Sequence, residues 1–337
     1  MSSDWEDPHY EDSVRIRPNP KGSRPRTKVR PNYDKASSGF VIAVHLARYA
    51  VKLDGVAGLV TATLAKELRR DRAVVGDRVR LTGDTSGSQG SLARIALIEP
   101  RKTLLSRSAE DSSRATKPIV ANADQLAIVV AATNPEPRIG LVDRYLAASY
   151  QAGVLPILIV TKVDLADATE FLDNFAGLDF PTFQLSRDDG LPEGLKAVLH
   201  DRVTVFVGHS GVGKSTLINR IIPAAGLTVG DVNAVTGRGK HTSSAAIALP
   251  LPDSVGWLID TPGVRSFGLG HLNLENLVRG YPELQDLLSE CPKGCLHREQ
   301  DSDCALASAQ QDGRVSAARL ASLRRIISTV SRDHWDD

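Results

Sequence analysis

Residues 203–216 read VTVFVGHSGVGKST: an apolar, largely β-branched run that enters a glycine-rich loop, with a helical pattern, STLINRII, completing it. Gly208 to Ser215 fit the phosphate-loop pattern G-x-x-x-x-G-K-[ST], and strand–loop–helix is the context that pattern requires. Its glycines at 208, 211 and 213 admit backbone conformations and a close approach that a Cβ obstructs. The loop N–H groups and the helix N-terminus then face phosphate oxygens. Lys214 is expected to reach the β and γ phosphates, and the Ser215 hydroxyl to ligate Mg²⁺. The whole loop is expected at the nucleotide: Gly208, His209, Ser210, Gly211, Val212, Gly213, Lys214, Ser215 and Thr216. The pattern does not require His209, and both a solvent-facing loop histidine and a phosphate contact are open to it.

Outward from this loop, strand and helix patterns alternate. QLAIVVAAT, LPILIV, TFQLS and GWLID read as strands; LVDRYLAASYQAG, LADATEFLDNFAG and PEGLKAVLH read as helices. Such alternation predicts an open, mostly parallel α/β sheet that binds ligands at the carboxyl ends of its strands. The strand LPILIV runs into TKVD: Thr161, Lys162, Val163 and Asp164. A carboxylate there can accept from the N1 and N2 donors of guanine, and adenine offers no matching pair. By itself the tetrapeptide is weak, since Asp164 could simply cap a helix. Beside a phosphate loop it predicts selection of GTP, with the Lys162 stem along the base and Ser186, ending TFQLS, supporting it through backbone.

After GWLI comes DTPG at 260–263. Asp260 stands where an acidic residue holds Mg²⁺ through water, and the Gly263 N–H is placed to contact the γ phosphate. Between loop and DTPG lies TGRGKHTSS, where Thr242 is the expected switch hydroxyl completing the Mg²⁺ shell and Ser243 is its rival. The expected catalytic group is therefore Lys214, Thr242, Asp260 and Gly263. Val264 follows, where Ras-like enzymes carry a water-orienting glutamine. An apolar side chain cannot orient water, so intrinsic hydrolysis is expected to be slow.

Upstream, residues 39–100 read as short, evenly spaced strands separated by Gly and Asp, the pattern of a small barrel such as an oligonucleotide-binding fold. Only Phe40 and Tyr49 are available there for stacking on bases. RKTLLSRSAEDSSRATKP, from 101, reads as a linker. The first 36 residues are acidic (Asp4, Glu6, Asp7, Glu11, Asp12) and then basic among prolines, with too little apolar content to fold. They are expected to form a disordered arm, either solvated or in electrostatic contact with nucleic acid. A formal charge of +1 over 337 residues selects no partner class, and no leader or membrane-spanning run is visible. The expectation is a soluble, cytoplasmic monomer.

All three cysteines lie in CPKGCLHREQDSDC. Cys291, Cys295, His297 and Cys304 supply the donor set of a closed, structural Zn²⁺ site in a small helical domain. The layout expected is thus an arm (1–36), a barrel (37–100), an α/β nucleotide domain (101–275) and a helical zinc domain (276–337).

Base reader, base loop, phosphate loop, switch threonine and DTPG are all present, but in rotated order. That order, with a barrel before it and a Cys–Cys–His–Cys cluster after it, resembles the circularly permuted GTPases called RsgA or YjeQ. The likeness spans roughly residues 39–330 and includes NPEPRIGLVDRYL, TKVDL, GHSGVGKSTLIN, GRGKHTSS and DTPGVRSFGL. HTS here replaces the HTT that relatives often carry, and the arm has no counterpart in the family pattern. The resemblance implies an oligonucleotide-binding domain, a permuted GTPase and a zinc domain. It also implies a role in late maturation of the 30S ribosomal subunit, with hydrolysis stimulated by that subunit. The expected partners are GTP and GDP, the 30S subunit and its 16S ribosomal RNA. A nucleotide-gated RNA-binding scaffold with negligible turnover is the alternative reading. Asp164→Asn is expected to shift preference from GTP toward xanthosine triphosphate in a binding competition; unchanged selectivity would remove Asp164 as the base reader.

Overall fold

The computed structural model describes residues 33–332 except 69–70, 110–111, 177, 228–245, 253, 262–276, 278–280, 282–283 and 302. The expected arm, apart from its last residues, lies outside the described residues, as do Thr242, Ser243, Gly263 and Val264. All strands and helices among the described residues belong to the unit formed by residues 36–337.

Five strands form the N-terminal barrel: β1 (Ser37–His45), β2 (Arg48–Leu53), β3 (Leu59–Leu64), β4 (Arg78–Gly83) and β5 (Ala93–Ile98). The order is β1-β2-β3-β5-β4, with β4 closing back on β1 and β3 parallel to β5. Alternation packs Val41, Tyr49, Val51, Val60, Val79, Leu81 and Ile95 inside. The register of β1 on β2 slips between Val41 and Ala43, a bulge that turns the strand's second half toward the next sheet. There Ala43 pairs with Ile247, so one hydrogen-bonded sheet continues from barrel into nucleotide domain. Phe40 leaves the barrel to stack on Trp257, with centroids 4.9 Å apart. Tyr49 is 3% exposed inside the barrel. Both aromatics offered by the sequence for base stacking are therefore occupied by the protein's own cores.

The second sheet runs β10 (Thr182–Leu185), β9 (Leu155–Thr161), β8 (Gln125–Ala131), β11 (Val203–Val207), β13 (Trp257–Asp260) and β12 (Ile247–Pro250). The first five are parallel and β12 is antiparallel. All seven β8 residues are buried and all but Gln125 are apolar, as in a strand of a sheet covered on both faces. The chain winds outward through β8, β9 and β10, then returns to place β11 on the other side of β8. The switch point, where ligands bind in such sheets, is thus the β8–β11 crevice.

Helices α1 (Ile139–Ala152), α2 (Thr169–Asp173), α3 (Glu193–Leu199) and α4 (Lys214–Ile221) lie where helical patterns were read. Gly153 caps α1 in the left-handed conformation, φ 68°. α2 is shorter than its pattern because the Asn174 amide turns back to donate to Glu170 O at 2.9 Å and Phe171 O at 3.2 Å. The segment read as a linker is instead a hairpin, β6 (Leu104–Ala109) with β7 (Ser112–Ala121). Its apolar signal is confined to the base, where Leu105, Val120 and Ala121 are buried. Arg101 ties that base to the barrel: Nε and Nη2 lie 2.7 and 2.8 Å from the fully buried Asp77 carboxylate.

Among the described residues three C-terminal helices follow, α5 (Gln285–Ser289), α6 (Ala305–Gln311) and α7 (Ala317–Arg332). Their Leu287, Leu306, Leu320, Leu323 and Ile326 join Tyr145 and Leu146 of α1 in one apolar core. Among the described residues, the cysteine region thus has no core separate from the nucleotide domain. At that seam Arg325 Nε donates to Asp143 Oδ2 at 2.7 Å, and Nη2 to Asn174 O at 3.0 Å. Among the described residues no helix is long and apolar enough to cross a membrane.

Burial raises the Asp143 carboxyl above the ordinary carboxylate range, and Arg325 pulls it only part of the way back. A carboxyl raised by folding favours the native state below its unfolded value, and that contribution is lost as pH rises through the folded value. Arg325→Ala leaves the buried carboxylate uncompensated and is expected to cost about 3 kcal/mol at pH 8. The loss should shrink at pH 5 and in the Arg325→Ala/Asp143→Asn pair. Urea unfolding at both pH values checks this; an equal loss at both would overturn it.

Candidate functional site

The phosphate loop leaves β11 at the switch point. A Cβ on Gly208 would meet Val129 O at 2.4 Å, so β8 demands glycine there. Val212 turns inward and is 3% exposed, pinning the loop to the core under α4. Gly213 caps α4 at φ 88°. With Val212 inward, the loop's outer rim is His209, Ser210 and Gly211, all exposed, while Ser215 and Thr216 are half-buried in the first turn of α4. His209 Nδ1 lies 3.2 Å from Ser210 O and faces a cleft of about 280 Å³, shared with Pro135, Glu136, Pro137 and Arg138. It is a solvent-facing residue of the loop.

Lys214 forms an ion pair with Asp260 at the end of β13. Asp260 is fully buried, and its second oxygen, Oδ2, has no donor among the described residues. A buried carboxylate with one free oxygen, ion-paired to the lysine of the phosphate loop, fits a site for Mg²⁺ and its waters. Thr261 Oγ1 donates to Phe206 O at 2.9 Å and locks β13 to β11.

TKVD follows β9 on the far side of β8. The Thr161 hydroxyl lies 2.5 Å from Val212 O and 3.1 Å from Val130 O. Lys162, at φ 59°, donates through Nζ to Asn134 O in the loop after β8. Val163 N donates to Leu185 O at 3.4 Å, joining this turn to β10. Asp164 is exposed, and its Oδ1 accepts the Arg187 N–H at 3.1 Å. Ser186 Oγ accepts the Asp189 N–H at 3.2 Å, closing the neighbouring loop. The fold therefore brings Thr161, Lys162, Val163, Asp164, Ser186, the phosphate loop and Asp260 to one end of the sheet. Sequence reading missed the 133–138 loop and Arg220, which donates to Ser186 O at 2.9 Å. The only signal for Arg220 was a basic residue closing the phosphate-loop helix.

The second cluster is Cys291, Cys295, His297 and Cys304, with ligand atoms all within 4.8 Å of one another. Bonds of about 2.3 Å to sulfur and 2.05 Å to nitrogen at tetrahedral angles place S···N at about 3.5 Å and S···S at about 3.8 Å. His297 Nδ1 lies 3.5, 3.5 and 3.6 Å from the three sulfurs, and Cys291 Sγ lies 4.0 Å from Cys304 Sγ. The group could hold a tetrahedral metal ion. Burial lowers His297, keeping the imidazole neutral, and pushes Cys295 up to about 11. Thiolates here therefore need a cation's charge beside them. Asp301, which sequence reading also missed, shapes the loop by accepting the Leu296 and Arg298 N–H groups, each at 3.0 Å.

Comparison with known proteins gives one consistent result. The sequence profile of the family described as RsgA GTPase matches residues 98–270. The small ribosomal subunit biogenesis GTPase RsgA of Pseudomonas aeruginosa is 38% identical over 262 residues, covering 74% of this chain and 76% of its own. The protein of that name from Ectopseudomonas mendocina is 37% identical over 311 residues, 88% of this chain and 87% of its own. Among solved structures, YjeQ from Thermotoga maritima matches the fold with a TM-score of 0.64 at 24% identity, over 88% of this chain and 98% of that one. YloQ, a circularly permuted GTPase, matches with a TM-score of 0.62 at 22% identity, over 90% and 97%.

Exhaustive chelation, or Cys291→Ser, is expected to release about one metal per chain and to expose the amides of α5–α7 to hydrogen exchange. Because α7 shares the α1 core, α1 should lose protection as well, while β11 and α4 keep theirs. Unchanged protection of α5–α7 after complete metal loss would overturn the structural role.

Proposed function

This chain belongs to the RsgA GTPase family and is a GTP hydrolase, and from that premise we propose that its nucleotide cycle is a switch in late maturation of the 30S ribosomal subunit. The observation that carries the reading is the convergence of Lys214, Asp260 and the Asp164 turn at the carboxyl ends of parallel strands of one sheet. The relatives' shared name, small ribosomal subunit biogenesis GTPase, supplies the process. The chain covers 76% and 87% of their lengths.

In this reading Asp164 accepts the guanine N1 and N2 donors, Lys162 lies along the base, and Ser186 supports it. Thr161 holds that turn against the phosphate loop. The loop amides of Gly208–Thr216 cradle the phosphates, His209 at its rim. On GTP entry Lys214 exchanges its carboxylate partner for phosphate oxygens, which frees Asp260. Bound with GTP, Mg²⁺ would supply neutralisation of the charge that develops on the phosphates. Ser215 and Thr242 would hold it directly and Asp260 through water, with the Gly263 N–H on the γ phosphate. Zn²⁺ is the metal that suits three thiolates and one imidazole best, in a structural role. The barrel and the cysteine region contact 16S ribosomal RNA, and the protein acts as a cytoplasmic monomer.

Val264 favours slow turnover by the isolated protein, with the subunit supplying what an apolar side chain cannot. The same residue favours a second reading, a GTP-gated RNA scaffold with negligible hydrolysis. GTP turnover measured alone and with 30S or 50S subunits separates them, with Lys214→Ala as the non-binding control. Strong stimulation by 30S alone is the expected outcome. Tight GTP-dependent 30S binding without stimulation would favour the scaffold, and neither binding nor stimulation would remove the subunit as partner.

A further inference from the structure

Arg220 lies in the last turn of α4, the helix that begins with Lys214. Its Nη1 donates to Ser186 O at 2.9 Å and its Nη2 to Asp189 O. Both carbonyls belong to the loop after β10, 34 and 31 residues earlier in the chain. Between them sits Arg187, whose N–H donates to Asp164 Oδ1 at 3.1 Å. Asp164 is exposed, so packing does not choose its rotamer, and this N–H is the contact that orients it. A planar guanidinium holds two acceptors at a set separation, which a lysine ammonium does not. We propose that Arg220 is a positioning residue for base selection: by clamping Ser186 O and Asp189 O it fixes the 186–189 loop, and the Arg187 N–H then sets Asp164 to accept both guanine donors.

The inference rests on Asp164 as the guanine reader. It adds a physical link between the two halves of the ligand, because one helix carries the phosphate lysine at its start and the base-loop clamp at its end. Arg220 touches neither phosphate nor base in this scheme. Its loss therefore degrades discrimination among bases, while a purely structural contribution to α4 would weaken all nucleotides alike.

The test uses the full chain and measures dissociation constants for GTP, inosine triphosphate and xanthosine triphosphate. Inosine lacks the 2-amino donor, so a set Asp164 should prefer GTP over inosine triphosphate by about tenfold or more, the worth of one hydrogen bond to a charged group. Arg220→Ala is expected to bring that ratio close to unity by weakening GTP selectively. Arg220→Gln keeps the aliphatic stem, should act in the same direction, and carries the test where the alanine variant fails to fold. An unchanged GTP-to-inosine ratio in a folded Arg220 variant overturns the proposal. Asp164→Asn run in parallel separates the two failures. If it does not turn preference toward xanthosine triphosphate, the base reader itself is misassigned and the proposal falls with it. If it does, while Arg220 variants keep the ratio, only the role of Arg220 is lost.

Discussion

The Thr161 hydroxyl stands between Val212 O of the phosphate loop and Val130 O of β8, within 3.1 Å of both. That contact stitches together three strand ends that the chain visits far apart: β8, β9 and β11. It is possible only because β11 pairs in parallel with β8, bringing the loop that follows it beside the turn that follows β9. The rest of the site builds outward from this centre. Lys162 reaches the loop after β8, Lys214 reaches across β11 to the end of β13, and Thr261 closes β13 back onto β11. A hydrogen-bonded sheet is indifferent to the order in which its strands were laid down. A rotated motif order therefore leaves a ligand-binding end with its usual neighbours.

Much of this was legible in the residues themselves. VTVFVGHSGVGKST declares strand, loop and helix by its period and glycines, and LPILIV followed by TKVD declares a second strand end. Four metal donors within one short loop are also self-evident. What was not legible depends on contacts between distant segments. The β6–β7 hairpin carries few apolar residues outside its base, so its sequence reads like a tether. The short strand β12 gains its pairing from β13 on one side and β1 on the other, and nothing local announces it. Phe40 reads as an aromatic of a small barrel available to bases; alternation opposite Val41 turns it out of the barrel, and only the tertiary contact with Trp257 shows what covers it. Arg220 and Asp301 belong to the same class, since each acts on backbone groups whose positions no local pattern specifies.

Two seams make these parts one body. At the first, β1 serves both sheets, with Val41 in the barrel core and Phe40 and Ile42 in the core of the nucleotide domain. At the second, α7 lies on α1 through apolar side chains and the Arg325–Asp143 pair. α1 itself starts directly after the 133–138 loop, where Asn134 accepts from Lys162. The cysteine loop is held to α7 through Arg324, whose Nε donates to His297 O at 3.2 Å. Contacts thus run without interruption from the turn after β9 to the Cys–Cys–His–Cys cluster.

The pairing of β8 with β11 also bears on how the chain comes into being. Gln125 and its partner Thr204 are 79 residues apart, with the phosphate loop on the later side. At a synthesis rate of roughly 5–20 residues per second, β8 waits about 4–16 s after its own emergence for that neighbour. During the interval its largely apolar strand can pair with β9 but has an open edge on the other side, the kind of surface that recruits stray strands or chaperones. In an unpermuted chain the phosphate-loop strand would already be present when β8 appeared. Rotation of the motif order is neutral for the finished site but shifts vulnerability to the middle of biosynthesis.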